Sequence, residues 1–443
     1  MALSGEALAV EIMKCVRCGQ CRAVCPVFLE SGAETDVARG RIFLVKLLME
    51  GRLDGKDLDG ALSRCLGCKS CFQECPSGVK GDQIVLAGRA EMVLRHGLGW
   101  MKRGLYRGVL GRPKVFGAMV GLGSLAQRVA LARVPRDSGI RLRLPGNRVP
   151  RTIPWLPRRP LRPKGTATYS PGGELDQETR SALTQGARMG PGAEGKTAPR
   201  RRVLYFTGCL TNYLYPRIGR AVIDVLNRNG VEVIVPADQT CCGLPARGAG
   251  DLETADRLMA ANLEAMSRYE ADAIIVSCAT CLTSWKEDYP AAGGTLGERA
   301  RDMAAKVYDF SQYLTEVLEF QPPEGALAMR VTYHDPCHHF KGMQIKKEPR
   351  KLLKAVPGLE FKEMAEAERC CGFAGSFSVW NYDLAVKIND RKIKNAAATG
   401  AEAVVTGCPG CVMHLADGLN RNQVPARALH LAEVLEMAYQ KEK

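Results

Sequence analysis

CVRCGQCRAVCP, from Cys15 to Pro26, places four thiols within eleven residues and a proline after the last. CLGCKSCFQECP repeats the pattern from Cys65 to Pro76. The chain of 443 residues carries 18 cysteines, and they are grouped with long cysteine-free intervals between the groups. That length accommodates two to four domains with real cores. A hydrophobic content of 46% and a charged content of 25% describe a globular chain. A disulfide scaffold is usually smaller and secreted. The opening MALSGEALAVEIMK has no basic stretch, long apolar core or twin arginine, so no export signal is expected. The expected compartment is the reducing cytoplasm, where clustered cysteines more often hold metal than pair with one another.

Both runs have the spacing Cys-x2-Cys-x2-Cys-x3-Cys-Pro, the bacterial ferredoxin spacing for [4Fe–4S] clusters. Three thiolates two residues apart wrap a loop around three corners of a cube, and the fourth usually serves the other cluster. The expected sets are therefore Cys15, Cys18, Cys21 and Cys75 for one cluster, and Cys65, Cys68, Cys71 and Cys25 for the other. Structural zinc usually takes its thiolates as separated pairs, which these dense runs do not resemble. Between Cys25 and Cys65 lie 39 residues, including ARGRIFLVKLLMEG. There Ile42, Val45 and Met49, with Leu44 and Leu48, recur at helical spacing, and Gly51 supplies a stop. Residues 1–97 thus resemble the α-helical ferredoxin domain of succinate dehydrogenase iron–sulfur subunits.

The second half of the chain is a repeat. RVLYFTGC (Arg202–Cys209) matches RVTYHDPC (Arg330–Cys337), QTCCGLPARG (Gln239–Gly248) matches ERCCGFAGS (Glu368–Ser376), and ADAIIVSCATC (Ala271–Cys281) matches AEAVVTGCPGC (Ala401–Cys411). The offsets are 128, 129 and 130 residues, so two modules follow one another, over 202–325 and 326–443. In each, short β-branched runs end just before cysteines, the pattern of an α/β sheet with its site at the strand C-termini. Each copy keeps five cysteines: Cys209, Cys241, Cys242, Cys278 and Cys281, then Cys337, Cys370, Cys371, Cys408 and Cys411. With the eight ferredoxin-type cysteines these account for every cysteine in the chain. The five-cysteine pattern resembles the CCG cysteine-rich domain of heterodisulfide reductase subunits and of glycolate and lactate oxidase iron–sulfur subunits. That resemblance implies one or two further iron–sulfur clusters, non-cubane where the heterodisulfide reductase type is followed. His334, His338 and His339 flank Cys337 and are expected to pack or hydrogen-bond near the site; the alternative is that one of them tunes a cluster or donates a proton beside it. Arg17, Arg22, Lys69 and Lys80 are expected to be solvated surface charges.

Residues 98–201 have the Pro/Arg/Gly-rich composition of a linker. The formal net charge of +15 sits there: residues 101–165 hold sixteen Lys/Arg and the single acid Asp137, and the remainder is neutral. This segment is read as docking an acidic partner or an anionic membrane surface. No stacking or groove-reading module accompanies it, so nucleic acid is not expected. Val115–Ala132 is apolar enough for a short helix but too short and broken to span a bilayer. GPGAEGKT (Gly190–Thr197) fits the P-loop pattern and GLGSLA (Gly121–Ala126) a dinucleotide fingerprint. Neither has the strand–turn–helix context it needs, so no nucleotide or flavin site is expected here.

Two ferredoxin-type runs with DVARGRIFLVK between them, followed by two CCG modules, resemble the glycolate oxidase iron–sulfur subunit family over about residues 15–80 and 202–415. The resemblance implies a multidomain fold: an α-helical ferredoxin domain, then two tandem α/β CCG modules. It implies an electron-transfer subunit that serves a separate FAD-containing hydroxy acid dehydrogenase subunit and delivers to quinone, in the cytoplasm at the inner face of the membrane. The alternative it leaves open is a heterodisulfide reductase-like subunit that reduces a disulfide at a CCG-bound cluster.

Overall fold

In the N-terminal region, the helices Gly5–Met13, Ala38–Met49 and Gly81–His96 pack around Leu8, Ile42, Val45, Leu48, Leu62 and Ile84. The computed structural model describes residues 3, 5–54, 58–130, 140–142, 149–163, 165–171 and 201–442. The buried stripe of Ala38–Met49 runs through Ala38, Arg41, Ile42, Val45 and Leu48. Met49, expected on that stripe, is turned to the surface. Arg41 takes a place on the apolar face because it has the Ala61 and Arg64 carbonyl groups to satisfy there.

The two modules have the same topology. The first sheet has β3 (Ala167–Tyr169), β4 (Arg202–Phe206), β5 (Glu232–Val235), β6 (Ala273–Val276) and β7 (Val307–Asp309), in the order β3-β5-β4-β6-β7. The second has β8 (Met329–Tyr333), β9 (Leu359–Phe361), β10 (Ala403–Thr406) and β11 (Arg427–His430), in the order β11-β10-β8-β9. All pairings within these sheets are parallel except β3 with β5. In each module the first strand is flanked by the second and the third, so the chain reverses direction across the sheet there. Cysteines sit just beyond the C-terminal ends of those strands, at the switch point where open α/β sheets place their sites. One apolar core is continuous across both modules: Ala221, Val222 and Val225 of the helix Pro216–Arg228 join Leu431, Leu435 and Ala438 of the helix Leu431–Tyr439.

The stretch expected as a linker is packed over its described parts. β3 extends the first sheet, and the Leu161 and Arg162 backbone N–H groups donate to Asn212 at 2.9 and 2.8 Å. A short hairpin pairs β1 (Ile140–Leu142) with β2 (Arg151–Ile153), and β2 touches the second module, where Thr152 N–H donates to Asp417 Oδ1 at 2.7 Å. The apolar stretch forms the helix Pro113–Ala130, which contains the Gly121–Ala126 fingerprint match. The P-loop match at Gly190–Thr197 lies outside the described residues. Among the described residues no helix is long and apolar enough to cross a membrane.

Both CCG turns need glycine. Gly243 and Gly372 hold φ of +88° and +91°, in the left-handed region. A Cβ on Gly372 would lie 2.9 Å from the Ala385 carbonyl oxygen, and one on Gly243 would lie 3.2 Å from that of Ala255. Gly372→Ala is therefore expected to cost about 2 kcal/mol or more, from backbone conformation plus the backbone clash. Denaturant unfolding of the variant against the parent chain checks this.

Candidate metal centres

The two N-terminal runs fold into the same loop. Arg17 and Gly67, between the first and second cysteines, have φ of 57° and 65°. Gly19 and Lys69, between the second and third, have φ of 90° and 60°. Left-handed residues at both spacers curl each loop so that three successive thiols converge. That two are not glycine means the loop tolerates strain of about 1 kcal/mol at each. The x3 step is then one helical turn: Cys21–Val24 and Ser70–Gln73 are short helices, and Cys25 N–H donates to Cys21 O at 3.2 Å. Each short helix thus links the two thiol sets.

The cysteines of the two runs lie close to one another. Cys15, Cys18, Cys21 and Cys75 line one small cavity, which Cys71 also borders. Burial pushes the Cys71 thiol well above its usual range, and the nearby Cys65, Cys68, Asp82 and Cys25 push it further. Burial likewise raises Cys25, with Arg41 opposing and Cys65 adding. Arg41 anchors this second loop from beneath: its Nε donates to Ala61 O at 2.9 Å and its guanidinium to Arg64 O at 3.1 Å. Arg89 completes the anchor, donating to Cys65 O at 2.8 Å and, across to the first module, to Gly248 O at 2.6 Å.

The ten CCG cysteines form one continuous file. Cys209 neighbours Cys241, Cys241 neighbours Cys242, Cys242 neighbours Cys281 and Cys281 neighbours Cys278, closely enough for each to shift the next one's pKa. Cys278 Sγ then meets Cys408 Sγ of the second module at 4.0 Å. From there Cys408 reaches Cys411, Cys411 Sγ lies 3.6 Å from Cys371 Sγ, and Cys371 and Cys337 both reach Cys370. Eight of the ten are buried, and Cys209 and Cys337 are half-buried. Two unit charges 4 Å apart repel by about 4 kcal/mol even at an effective dielectric of 20. Thiolates packed this closely need cations among them, and ferrous and ferric iron with soft thiolate ligands meet that need. The donor set fits iron–sulfur clusters.

The file continues into the N-terminal region. Burial pushes Cys68 up to about 11, with Lys341 opposing and Cys370 adding. Lys341 Nζ donates to Ser70 Oγ, and His338 Nε2 lies 3.4 Å from Gly67 O. The second ferredoxin loop therefore sits directly against the second module. Lys69, expected to be solvated, is mostly buried in an ion pair with Glu287. Arg17 and Arg22 do lie at the surface, over the rings of Phe43 and Phe28.

The three histidines separate by role. His338 meets the second ferredoxin loop at the Gly67 carbonyl. His339 Nε2 lies 3.1 Å from Asp309 Oδ2, a buried pair that joins the two modules. His334 is fully buried, and its two ring nitrogens have no hydrogen-bond partner among the described residues. Its nearest ring nitrogen and the sulfurs of Cys371 and Cys411 lie within 4.8 Å of one another. Burial pushes its pKa down to about 3, so it is a neutral ring with one N–H to offer. The first module has Phe206 at the matching place.

The modules also differ in access. A cavity of about 830 Å³ is floored by Cys209, Cys241, Cys242, Cys278 and Cys281. Leu66 and Lys69 of the second ferredoxin loop and Phe373 and Met413 of the second module form its walls. Among the described residues, no cysteine of the second module lines it.

Comparison with known proteins agrees with this architecture. The family described as "4Fe-4S dicluster domain" matches residues 11–79, and "Cysteine-rich domain" matches 203–286 and 331–416. A probable glycolate oxidase iron-sulfur subunit of Bacillus subtilis is 32% identical, over 96% of this chain and 93% of that protein. One subunit of a fumarate reductase (CoM/CoB) from Methanothermobacter marburgensis is 37% identical, over 54% of this chain and 47% of that one. Lactate utilization protein A of Halalkalibacterium halodurans is 32% identical, over 53% of this chain and 96% of that one. A hypothetical protein from Helicobacter pylori, of known crystal structure, shares the fold with a TM-score of 0.52 at 9% identity, over 99% of this chain and 74% of that one.

Two substitutions test the crossed sets. Cys75→Ser is expected to perturb the centre of the first run and Cys25→Ser that of the second, read by EPR and iron content of the anaerobic protein. The opposite pairing would show each run to be self-contained. His334→Phe, which makes the second module like the first, removes an N–H facing the sulfurs. It is expected to lower the reduction potential of the second-module centre in an EPR-monitored titration, with the ferredoxin-type centres unmoved.

Proposed function

The chain belongs to the family of the glycolate oxidase iron–sulfur subunit, and from that premise we propose that it relays electrons from a separate FAD-bearing subunit, which oxidises a 2-hydroxy acid, toward quinone. Its relatives make it an iron–sulfur electron-transfer subunit of an oxidoreductase. The observation that carries the finer reading is the uninterrupted file of thiols: first run, second run, second module, first module. Each set lies near the next: one helical turn joins Cys21 to Cys25, Cys370 is close enough to Cys68 to raise its pKa, and Cys278 Sγ meets Cys408 Sγ at 4.0 Å. In this reading Cys15, Cys18, Cys21 and Cys75 hold one [4Fe–4S] cluster, and Cys65, Cys68, Cys71 and Cys25 hold another. The five cysteines of each CCG module hold one or two more.

Such clusters supply single-electron exchange at potentials of roughly −700 to +450 mV, set by burial and hydrogen bonding. The chain's own residues set the positions and the surroundings. Arg41 and Arg89 fix the second loop by its carbonyls, Lys341 brings positive charge between the Cys68 and Cys370 thiols, and His334 offers an N–H to the second-module sulfurs. In this reading the acceptor is met at the cavity, which the five first-module cysteines and Cys65 of the second ferredoxin run line.

The native complex, purified without oxygen, tests this. Glycolate, D-lactate, L-lactate and glycerol 3-phosphate are added in turn while the visible iron–sulfur absorbance is followed. One of the hydroxy acids is expected to bleach it. If none does, and a thiol disulfide reoxidises a chemically reduced sample, the chain is a disulfide reductase subunit instead.

A further inference from the structure

The helix Pro113–Ala130 is built inside out. Its inward face carries polar groups: Ser124 Oγ donates to Leu156 O at 3.0 Å, Gln127 Nε2 donates to Pro154 O at 3.2 Å, and Gln127 Oε1 accepts from Leu156 N–H at 2.8 Å. Phe116 packs on Tyr213 at 4.6 Å between ring centroids, which fixes the helix to the first module. Its outward face is apolar. Val115, Met119, Leu122, Leu125 and Val129 are 39% to 76% exposed and recur every three or four residues, so they form one stripe along the helix.

Just upstream, Leu94, Trp100 and Met101 are 81%, 82% and 51% exposed. Among the described residues, half of the exposed large apolar side chains fall within 94–129. Scattered exposed apolar residues need no explanation, whereas a concentration of this kind marks a contact surface. Residues 94–130 hold seven Lys/Arg and no Asp or Glu; Arg95, Lys102 and Arg107 pair with Glu91, Asp59 and Asp251, and Arg103, Arg112 and Lys114 have no acidic partner among the described residues.

The same segment borders the cavity. Leu98, Trp100, Met101 and Leu105 line it together with the first-module cysteines. Trp100 and Met101 both line it and stand exposed, so they mark its mouth.

We propose that this face lies on an anionic lipid bilayer, with the apolar stripe and Trp100 sunk into the headgroup boundary and Arg103, Arg112 and Lys114 on the lipid phosphates. An apolar helical stripe with the acid-free bases Arg112 and Lys114 at its start, Arg103 just upstream and an exposed tryptophan has the chemistry of an interfacial surface. An acidic protein partner would satisfy the charges but would need a matching apolar strip. A bilayer supplies both. Docked this way, the cavity mouth opens into the lipid, and a lipid-soluble quinone reaches the first-module cysteines without crossing water. This last step rests on the relay reading, while the docking itself does not.

The test uses the full chain with its clusters, purified without oxygen, and vesicles of phosphatidylcholine with or without phosphatidylglycerol. The protein is expected to float with the anionic vesicles, more weakly as salt rises. Brominated lipids are expected to quench its tryptophan fluorescence, and Trp100→Phe to remove most of that quenching. The double variant Leu122→Glu with Leu125→Glu changes exposed positions, and an unchanged visible spectrum verifies its fold. It is expected to bind at least about tenfold more weakly. No flotation by the parent chain, or equal flotation by the double variant, overturns the docking. Bleaching by a hydroxy acid without vesicle binding defeats the docking alone. Vesicle binding without bleaching defeats the relay reading and leaves the docking standing.

Discussion

The mutual repulsion of closely packed, buried thiolates is the constraint on which the rest of the structure depends. Ten CCG sulfurs lie in one file, with Sγ–Sγ separations of 4.0 and 3.6 Å where they are closest to the module boundary. Neighbouring thiols and burial raise Cys241, Cys278, Cys281 and Cys411 well above the usual thiol range, while hydrogen bonds from neighbouring thiols hold Cys242, Cys370 and Cys408 well below it, so the fold alone cannot ionise the whole set. Iron reverses the balance, because each ionised sulfur then gains a cation. The backbone is arranged accordingly. Left-handed turns at Arg17, Gly19, Gly67, Lys69, Gly243 and Gly372 aim the sulfurs inward, and the parallel strands deliver them at one edge of each sheet.

Much of this was legible in the sequence because cysteine spacing reports directly on local backbone geometry. Cys-x2-Cys-x2-Cys-x3-Cys encodes the curled loop and the single helical turn after it, and the offset repeat encodes two like sheets. Arg41 was legible in principle. It stands three and four residues from Ala38 and Val45 on an apolar helical face, a position where arginine is costly unless it meets buried acceptors. The contacts between distant segments were not legible. Nothing local in Lys69 points to Glu287, and nothing in Gly67 points to His338, since these pairs depend on how the domains dock. Composition also misdescribed the 98–201 stretch. Proline, glycine and arginine suit a linker, but Pro113–Ala130 has a polar face that hydrogen-bonds inward and an apolar face turned outward. Counting residue types cannot tell which face is which.

Duplication explains the pair of CCG sites, but the two copies have diverged in what surrounds their sulfurs. The second-module site is enclosed: the ferredoxin loop presses on it through Cys68, Ser70 and Lys341, and a neutral histidine fills the place that Phe206 holds in the first. The first-module site is open to the cavity and has an apolar ring at that position. Hydrogen bonds to sulfur and enclosure both tune a cluster's potential, so identical ligand sets need not have identical potentials. An enclosed site next to the incoming clusters suits a centre that only passes electrons on. An open site at the end of the file suits the centre that meets an acceptor. The ferredoxin domain contacts both halves of the repeat, the first through Lys69 with Glu287 and Arg89 with Gly248, the second through Ser70 with Lys341, so the two copies differ in which of its residues they meet.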